Sequence, residues 1–367
     1  MMESFFDEIN RVSHEFDLSG LVNVSEINIG KVNHTCRADF VMDGWMHSYI
    51  VQKVNTYVFR KPWDVMHNIQ LVSEFMAEHH PDIKSLRYIH ALNGKNYFEE
   101  EGAFWRMYRY VDSVTYNSSR DPVIVENTGK AFGRFQKALA EFDASQLRYT
   151  IPDFHNTTKR YADLAADFSS DPLWRAHTCS QQVDYVLSMK EKALVLDKLF
   201  AAGKIPLRVT HNDTKINNVL FDPETRKAVC VVDLDTVMPG LAGHDFGDAI
   251  RSAGNSMGSS SLEFDKVFLD MNIFSAFARG FLSQTAELFN KDEISSLADS
   301  CLVMTLELAS RYLDDYLTGD KYFKAKYEGQ NLDRARNLIA LARSMDSLMP
   351  EMRRVIEEIV KDRTVRG

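Results

Sequence analysis

Cysteine is scarce in this sequence, and there is no excess of positive charge. The 367 residues include four cysteines, none spaced as a C-x-x-C pair. Neither a zinc site nor a disulfide framework is therefore indicated, and reduced thiols are expected. Acidic side chains outnumber basic ones by 52 to 43, which gives a formal charge of −9. A nucleic-acid-binding surface needs a basic patch to neutralise phosphates, and none is visible, so we expect no nucleic-acid partner.

Long apolar runs are missing as well. No uncharged apolar stretch approaches the length that crosses a bilayer. Residues 1–8 are acidic, whereas a signal peptide begins with a basic region followed by an apolar one. These absences favour a cytoplasmic protein without a membrane partner. The remaining composition, 45% apolar and 26% charged, is that of a globular protein, and the length allows two domains or one two-lobed unit.

One short polar stretch, residues 211–218, lies between apolar segments and contains Asp213, Lys215 and Asn218. A loop of this length can aim all three side chains at one point. Phosphoryl transfer needs a carboxylate to orient and deprotonate the attacking hydroxyl, a cation near the phosphate, and oxygen ligands for Mg²⁺. A single Asp or Asn in a loop is more often only a turn residue. Because all three occur together, we predict Asp213 as the base and Lys215 as the cation.

A second carboxylate follows this loop. The turn-prone residues 222–225 separate two apolar runs, which predicts a hairpin that brings Asp233 back beside the loop. The order His-x-Asp-x-x-x-x-Asn, hairpin, Asp is that of the kinase catalytic loop and its metal-binding aspartate. We therefore predict that Asn218 and Asp233 ligate Mg²⁺, with water and nucleotide phosphates completing the octahedron.

Three other polar residues near the loop are predicted to have structural roles. His211 is expected to hold the loop by hydrogen bonds rather than to transfer a proton. Asp245 and Asp248 lie between a predicted strand and a predicted helix. They could be further metal ligands, but a role as helix cap and anchor for the loop is the better interpretation.

The first part of the chain is predicted to form a sheet. Residues 22–55 read as strands, with Asp43 and Gly44 as a hairpin turn. Within this range, Gly30 lets backbone amides approach a phosphate, and Asn33 adds a donor. A single glycine more often marks only a turn, so a phosphate-binding loop is one of two interpretations here.

Lys53 is the candidate for the nucleotide-binding lysine of this sheet. It lies in segment 48–54, where a kinase small lobe carries the lysine that pairs with the phosphates. Strand alternation leaves open whether Lys53 or Gln52 faces the nucleotide, and a solvated lysine at a strand end is equally compatible. Glu74, in a helix that begins at Pro62, could pair with a strand lysine, although a solvated carboxylate fits better.

Segments 83–92 and 97–111 are predicted to continue the sheet. In a two-lobed kinase, the strand that enters the large lobe passes the adenine and presents backbone groups to its edge. We therefore predict an ATP-binding hinge; the alternative is an ordinary buried strand. The hinge residues are Met107, Tyr108, Tyr110 and Val111.

From residue 121 onward the apolar periodicity is helical, and one long helix is predicted over 181–202. The predicted fold class is therefore α+β. We expect an N-terminal nucleotide-binding lobe at residues 1–108 and a C-terminal catalytic and substrate-binding lobe at residues 109–367.

Several segments together resemble a known family. The chain resembles the aminoglycoside phosphotransferase and choline kinase superfamily of small-molecule kinases and, within it, is most similar to the N-acetylhexosamine 1-kinases. The resemblance extends over nearly the whole chain. It implies a protein-kinase-like fold with a small N-terminal lobe, which holds an antiparallel sheet, and a larger, mainly helical C-terminal lobe. The segments are residues 208–218, 233–240, 245–248, 311–317 and 319–323.

The resemblance also implies roles for individual residues. In those enzymes the aspartate that matches Asp213 is the base for the anomeric hydroxyl of the sugar, and the positions that match Asn218 and Asp233 hold magnesium. Arg311 and Tyr322 would help to bind the sugar. Without the family, Arg311 reads as a surface or ion-pairing arginine.

The family likewise implies a sugar contact from the loop that contains Gly30, Lys31 and Asn33. Its members tend to carry histidine where Lys31 stands, so the chain departs from the pattern at this contact. The chain also lacks the glycine-rich G-x-G-x-x-G of protein kinases, which argues against protein substrates.

The resemblance implies an ATP- and Mg²⁺-dependent transfer of the γ-phosphate to the C1 hydroxyl of N-acetylglucosamine or N-acetylgalactosamine, giving the α-1-phosphate. Two alternatives remain: another small-molecule kinase of the superfamily, acting on choline, homoserine or an aminoglycoside, and a nucleotide-binding pseudokinase. The expected partners are ATP and a small-molecule sugar, and the expected assembly is a monomer or weak homodimer.

Overall fold

The N-terminal lobe is built on a five-stranded antiparallel sheet with the order β1-β2-β3-β5-β4. The computed structural model describes residues 4–27 and 32–364. Apolar side chains of helix α1 (Phe5–His14) cover one face of the sheet, and helix α2 (Pro62–His79) packs against the other. The strands are β1 (Leu21–Glu26), β2 (His34–Met42), β3 (Trp45–Lys53), β4 (Phe98–Glu100) and β5 (Ala103–Arg109).

The predicted hairpin between β2 and β3 is confirmed. Asp43 and Gly44 form its turn with φ angles of 50° and 79°, the positive values that a two-residue hairpin of this hand requires. The two strands stay in register from the pair Met42 and Trp45 to the pair His34 and Lys53. This register decides which β3 side chains face α1.

The C-terminal lobe is mainly helical, and its largest apolar cluster lies among α3, α8, α9, α10 and α11. Two short antiparallel ladders, β6–β9 and β7–β8, border that cluster. The helices are α3 (Pro122–Ala138), α4 (Thr157–Ser170), α5 (Ala176–Ser188), α6 (Lys190–Ala193), α7 (Val195–Ala201), α8 (Ala242–Ala253), α9 (Met271–Thr285), α10 (Lys291–Thr318) and α11 (Gln330–Thr364). The strands are β6 (Arg208–Thr210), β7 (Val219–Phe221), β8 (Ala228–Val231) and β9 (Met238–Gly240).

Helices α3 and α9 cross with their backbones in contact. A β-carbon on Gly129 of α3 would overlap the carbonyl oxygen of Phe277, and one on Gly280 of α9 would overlap that of Glu126. Neither glycine has a positive φ, so the close approach, rather than backbone conformation, accounts for glycine at both positions. The crossing ties α3 firmly into the core behind the catalytic loop.

The predicted α+β two-lobed architecture is confirmed, with differences in detail. Segment 83–92 does not form a regular strand. It is attached to β5 by a single isolated bridge between Tyr88 and Tyr108. Segment 181–202 is broken into the end of α5, then α6 and α7. Helix α1 was not predicted. The proposed lobe boundary at residue 108 stays a prediction.

Across residues 4–27 and 32–364, no helix combines the length and apolar character needed to cross a bilayer.

Candidate active site

The catalytic loop, residues 211–218, joins β6 to β7 and is held by helix α8. The Asp245 carboxylate accepts hydrogen bonds from the backbone N–H groups of His211, at 3.0 Å, and Asn212, at 2.7 Å. Gln136 of α3 donates a third bond to it at 2.6 Å. Asn212 lies at φ 63°, a left-handed conformation that asparagine tolerates well. The anchoring role predicted for Asp245 is confirmed.

Asp248 and His211 hold the loop from two more directions. The backbone N–H of Thr214 donates to one Asp248 oxygen at 3.1 Å, while Arg251 pairs with the other at 2.5 Å. The Nε2 atom of His211 lies 3.0 Å from the Val232 carbonyl oxygen, and its ring is buried. A ring tied in this way is a scaffold rather than a proton-transfer group.

The three loop residues predicted to serve phosphoryl transfer, Asp213 as base, Lys215 as cation and Asn218 as metal ligand, contact one another in the structure. Lys215 Nζ lies 2.6 Å from Asp213 Oδ1. Asn218 Nδ2 donates to the Asp213 backbone oxygen at 2.8 Å and to Oδ2 at 3.0 Å. The Asp213 carboxylate raises the pKa of Lys215, so the lysine stays cationic. The loop thus presents a carboxylate and a cation side by side, which is the charge arrangement that phosphoryl transfer needs.

Asp233 reaches the loop through the predicted hairpin, which is β7 and β8. The backbone N–H of Val232 donates to the Asn218 carbonyl oxygen at 2.9 Å, and Asp233 itself has φ 61°. Burial, together with the negative charges of Asp235 and Asp213, raises the pKa of Asp233 to about 7. The carboxylates at this point therefore repel one another unless a cation lies among them.

The residues present fit a magnesium ion. The amide nitrogen of Asn218 is used in bonds to Asp213, which leaves its amide oxygen as the atom able to ligate a cation. Together with the Asp233 carboxylate this gives two hard oxygen donors, and Mg²⁺ is usually held by few protein ligands plus phosphate and water oxygens. Within residues 4–27 and 32–364, no group of three or more His, Cys, Asp or Glu could hold a metal ion by itself.

Lys53 is not placed as predicted. Its Nζ atom pairs with Glu8 of α1 at 2.9 Å and lies over the Trp105 ring, on the sheet face that α1 covers. Gln52 points the other way, where its side-chain oxygen accepts a bond from Arg106 at 2.9 Å. Because side chains alternate along a strand, Lys53 cannot share the face of Gln52. This placement contradicts a nucleotide contact from Lys53.

The small-lobe loop meets the site through Asn33. Its Nδ2 donates to Asp235 at 2.7 Å, and its Oδ1 accepts from the Asn55 backbone at 3.0 Å. A direct sugar contact from Asn33 would require these hydrogen bonds to open. Gly30 and Lys31, predicted for the nucleotide and the sugar, lie outside the residues that the structure describes.

The predicted hinge residues lie where β5 leaves the sheet. The Met107 side chain is buried on the α1 side, whereas the Tyr108 ring lies 5.1 Å from that of Tyr88 on the other face. Tyr110 lies under the Arg37 guanidinium, 4.3 Å from its ring centre, and Val111 is buried. A nucleotide contact from this segment stays a prediction.

Arg311, on α10, and Tyr322, in the segment that follows this helix, are adjacent in the structure. The Arg311 guanidinium lies 5.4 Å from the centre of the Tyr322 ring and at similar distances from Phe154 and Phe323. The Tyr322 side chain is half-exposed. Three aromatic rings therefore hold one arginine at an accessible position.

Two residues without a predicted role connect that arginine to the catalytic loop. Glu307, one turn before Arg311 on α10, pairs with His155 Nδ1 at 2.8 Å, and His155 Nε2 lies 3.3 Å from the Asn212 carbonyl oxygen. Burial alone would raise the pKa of Glu307, but the His155 ring, the Arg311 charge and the Thr157 hydroxyl together lower it to about 2. His155 and Glu307 are 152 positions apart, and nothing in the sequence indicates that they pair.

A buried histidine beside this group makes stability depend on pH. Burial, and then the neighbouring His155, lowers the pKa of His244 to about 3 from 6.5. The folded chain therefore favours the neutral form of His244. Its contribution to the free energy of unfolding is complete above pH 6.5 and is lost as the pH falls toward 3. From pH 6.5 to 5 this one group should cost about 2 kcal/mol of unfolding free energy.

We expect His244→Gln to lose less stability over that interval than the wild type, as measured by urea unfolding at each pH. His177→Gln, which changes an exposed histidine, serves as the control and should leave the pH dependence intact. An equal acid loss in the wild type and His244→Gln would contradict this role.

Comparison with known proteins agrees with this site. The model of the phosphotransferase enzyme family matches residues 43–273. An aminoglycoside phosphotransferase from Alicyclobacillus acidocaldarius is 14% identical at a TM-score of 0.65, with 95% of this chain and 96% of that chain covered. A spectinomycin phosphotransferase, in complex with ADP and spectinomycin, is 13% identical at a TM-score of 0.58, with 93% of this chain and 98% of that chain covered.

The choline kinase of Cryptosporidium parvum is 11% identical at a TM-score of 0.55, with 90% of each chain covered. At such low identities these structures show a shared fold and no more. The sequence match is of another kind, because it spans more than half of the chain, including the whole catalytic loop and Asp233. The chain belongs to the phosphotransferase enzyme family.

Proposed function

We propose that this protein is an ATP- and Mg²⁺-dependent kinase that phosphorylates the C1 hydroxyl of N-acetylglucosamine or N-acetylgalactosamine. Use of ATP is supported by the ADP bound to the related spectinomycin phosphotransferase and by the kinase-like order of Asp213, Asn218 and Asp233. The sugar is supported by the resemblance of the sequence and by one feature of the large lobe.

That feature is the charge of Arg311. Among the described residues no carboxylate forms an ion pair with it; the oxygens of nearby Glu307 are taken by His155 and Thr157. Arg311 is close enough to Glu307 to lower the pKa of that carboxylate but forms no ion pair with it, and its guanidinium repels the ammonium groups of choline and aminoglycosides. It attracts oxygen acceptors, such as hydroxyls and an acetamido carbonyl, and its planar donors suit them. The site therefore favours a neutral, oxygen-rich acceptor.

In the proposed reaction Asp213 orients the sugar hydroxyl and takes up its proton as the oxygen attacks the γ-phosphorus, while the bond between that phosphorus and the β,γ-bridging oxygen breaks and ADP leaves. Lys215, held cationic beside it, offsets negative charge on the transferred group. Asn218 and Asp233 would hold Mg²⁺, which neutralises charge on the phosphates when bound. The Arg311 guanidinium would bind sugar oxygens and fix the ring so that only one hydroxyl reaches Asp213.

The proposal is tested with a panel of free N-acetylhexosamines, other hexoses, choline, homoserine and aminoglycosides in an ATP-consumption assay. Phosphorus NMR of the product then decides the position, since an anomeric phosphate fixes both reaction and acceptor atom. Turnover of a cationic amine in preference to every sugar would overturn the proposal. Measurable Mg·ATP binding with no turnover across the panel would instead support the pseudokinase.

Arg311→Met should raise the KM for the sugar by about 10- to 100-fold, because hydrogen bonds from a charged donor are worth about 1.5–3 kcal/mol. The KM for ATP should change little. Arg343→Met is the matched control: Arg343 also lies over an aromatic ring, that of Tyr185, at 4.7 Å, but far from the loop in sequence. An unchanged sugar KM in Arg311→Met would exclude this residue from the acceptor site.

A further inference from the structure

Arg106 is a buried charge on strand β5, which lies between β3 and β4 in the small-lobe sheet. Its side chain is 1% exposed, and its Nη1 atom lies 2.5 Å from Asp235 Oδ1, while its Nε donates to Gln52 at 2.9 Å. Asn33 donates to the other Asp235 oxygen at 2.7 Å. Asp235 thus joins a strand of the small-lobe sheet and the segment that follows residues 28–31, and it lies two residues after Asp233.

The charge pair that protein kinases use at this place is absent from its usual positions. There, a β3 lysine pairs with a glutamate of the small-lobe helix. In this chain Lys53 of β3 pairs with Glu8 on the far face, and Glu74 of α2 is exposed and bonded to Gln70. The helix residue that meets Arg106 is Met66, whose sulfur lies 3.8 Å from Nη1. In this chain the buried cation is on β5, at Arg106, and its carboxylate partner, Asp235, is in the short 3-10 turn at residues 234–236 that follows Asp233.

Fold stability does not require such a pair. Two charges lose their hydration when buried, and an apolar pair of similar volume is often as stable or more so. A buried pair is better explained by what it positions. Here it links the small-lobe sheet to the chain two residues from a predicted metal ligand, and residues of this kind that orient ligands change metal affinity by about 10- to 100-fold.

We propose that Arg106 and Asp235 are positioning residues that connect the two lobes and fix Asp233 for Mg·nucleotide binding. The inference rests on the proposed use of Mg·ATP but not on the identity of the acceptor. Without the pair, the metal-binding turn keeps other ties to the small lobe, such as the hydrogen bond from Asn68 of α2 to the Val237 carbonyl oxygen, but it loses its ion pair with the sheet. Nucleotide would still bind, but the gain in affinity that Mg²⁺ provides would shrink.

The test compares Arg106→Met, Asp235→Asn and the double variant with the wild type. For each protein, the melting temperature and the affinity for ADP are measured by calorimetry, with and without Mg²⁺. Each single variant leaves one buried charge unpaired and should melt lower than the wild type. The double variant removes both charges and should recover most of the melting temperature. It should nevertheless bind Mg·ADP about 10-fold more weakly, with Mg²⁺-free ADP affinity unchanged.

A double variant with the Mg·ADP affinity of the wild type would overturn the proposal whatever its melting temperature, since the pair would then have no part in binding the metal and nucleotide. If the double variant does not fold, Asp235→Asn decides, because it is isosteric: a folded form with wild-type Mg·ADP affinity overturns the proposal equally. Glu293→Gln, which removes a carboxylate from the buried pair with Arg208, is the control and should keep that affinity. A wild-type chain that fails to bind Mg·ADP would refute the proposed function itself.

Discussion

Replacing Asp213 by asparagine should lower kcat by about 10²- to 10⁴-fold, the usual contribution of a positioned base. The amide has the shape of the carboxylate but cannot accept the hydroxyl proton. Mg·ATP affinity and melting temperature should stay close to those of the wild type, because Asn218 and Asp233 are unchanged. The measurement is initial-rate ATP consumption with the best sugar of the panel.

The matched control for that variant is Asp222→Asn in the neighbouring hairpin turn. Asp222 accepts turn hydrogen bonds from the backbone of Glu224 and Thr225, and an asparagine oxygen can accept the same bonds. Its kcat should equal that of the wild type. If Asp213→Asn also keeps wild-type turnover, the assignment of Asp213 as base is refuted.

Gly280→Ala should lower the free energy of unfolding by about 3 kcal/mol. In a free helix the change would be favourable by about 1 kcal/mol, since alanine forms helices better than glycine. Here the added carbon would overlap the Glu126 carbonyl oxygen and come within 2.9 Å of the Lys130 backbone nitrogen. Backbone atoms of a packed helix cannot turn aside, so α3 and α9 must separate, and overpacking of this kind costs about 1–3 kcal/mol or more.

Urea unfolding of Gly280→Ala against the wild type measures this cost. Ser283→Ala, on the same helix and half-buried, introduces a methyl side chain without a backbone clash and should remain within about 0.5 kcal/mol. A Gly280→Ala variant as stable as the wild type would show that the crossing tolerates a wider helix separation.

The parts of the site that were predictable from sequence are those whose partners lie nearby in the chain. The spacing of Asp213, Lys215 and Asn218 on one loop, and the turn residues that return Asp233, are local features that leave few alternative arrangements. Asp245 was predicted correctly as an anchor because it lies in the first turn of helix α8, which follows the hairpin that returns to the loop, so its carboxylate can reach the loop amides.

The facing of Lys53 could not be decided from the sequence. Because side chains alternate along a strand, Lys53 and Gln52 must face opposite ways, but this does not say which of them faces the site. Neither face of the strand is left to solvent, since α1 covers one and the candidate site lies on the other. The deciding partner, Glu8, lies 45 positions earlier in a helix that was not predicted. Similarly, no glycine or proline marks the breaks in segment 181–202.

Arg106 carried a signal that was not used. If this segment is read as a buried strand, which was the alternative to the hinge, an arginine between Trp105 and Met107 must find a partner, because a buried unpaired charge is very costly. The sequence could therefore have flagged Arg106 as one half of a pair. It could not have named Asp235, which is 129 positions away and meets Arg106 only when the two lobes come together.

Because the catalytic loop is attached to α8, the order of the loop depends on the packing of the core around that helix. Residues 242–251 of that helix are all buried in the core, and its Asp245 holds the amides of His211 and Asn212. We therefore expect these two amides to exchange with solvent at the slow rate of the α8 core rather than at the rate of an exposed loop. Hydrogen exchange would then report the order of the catalytic loop and the stability of the lobe as one quantity.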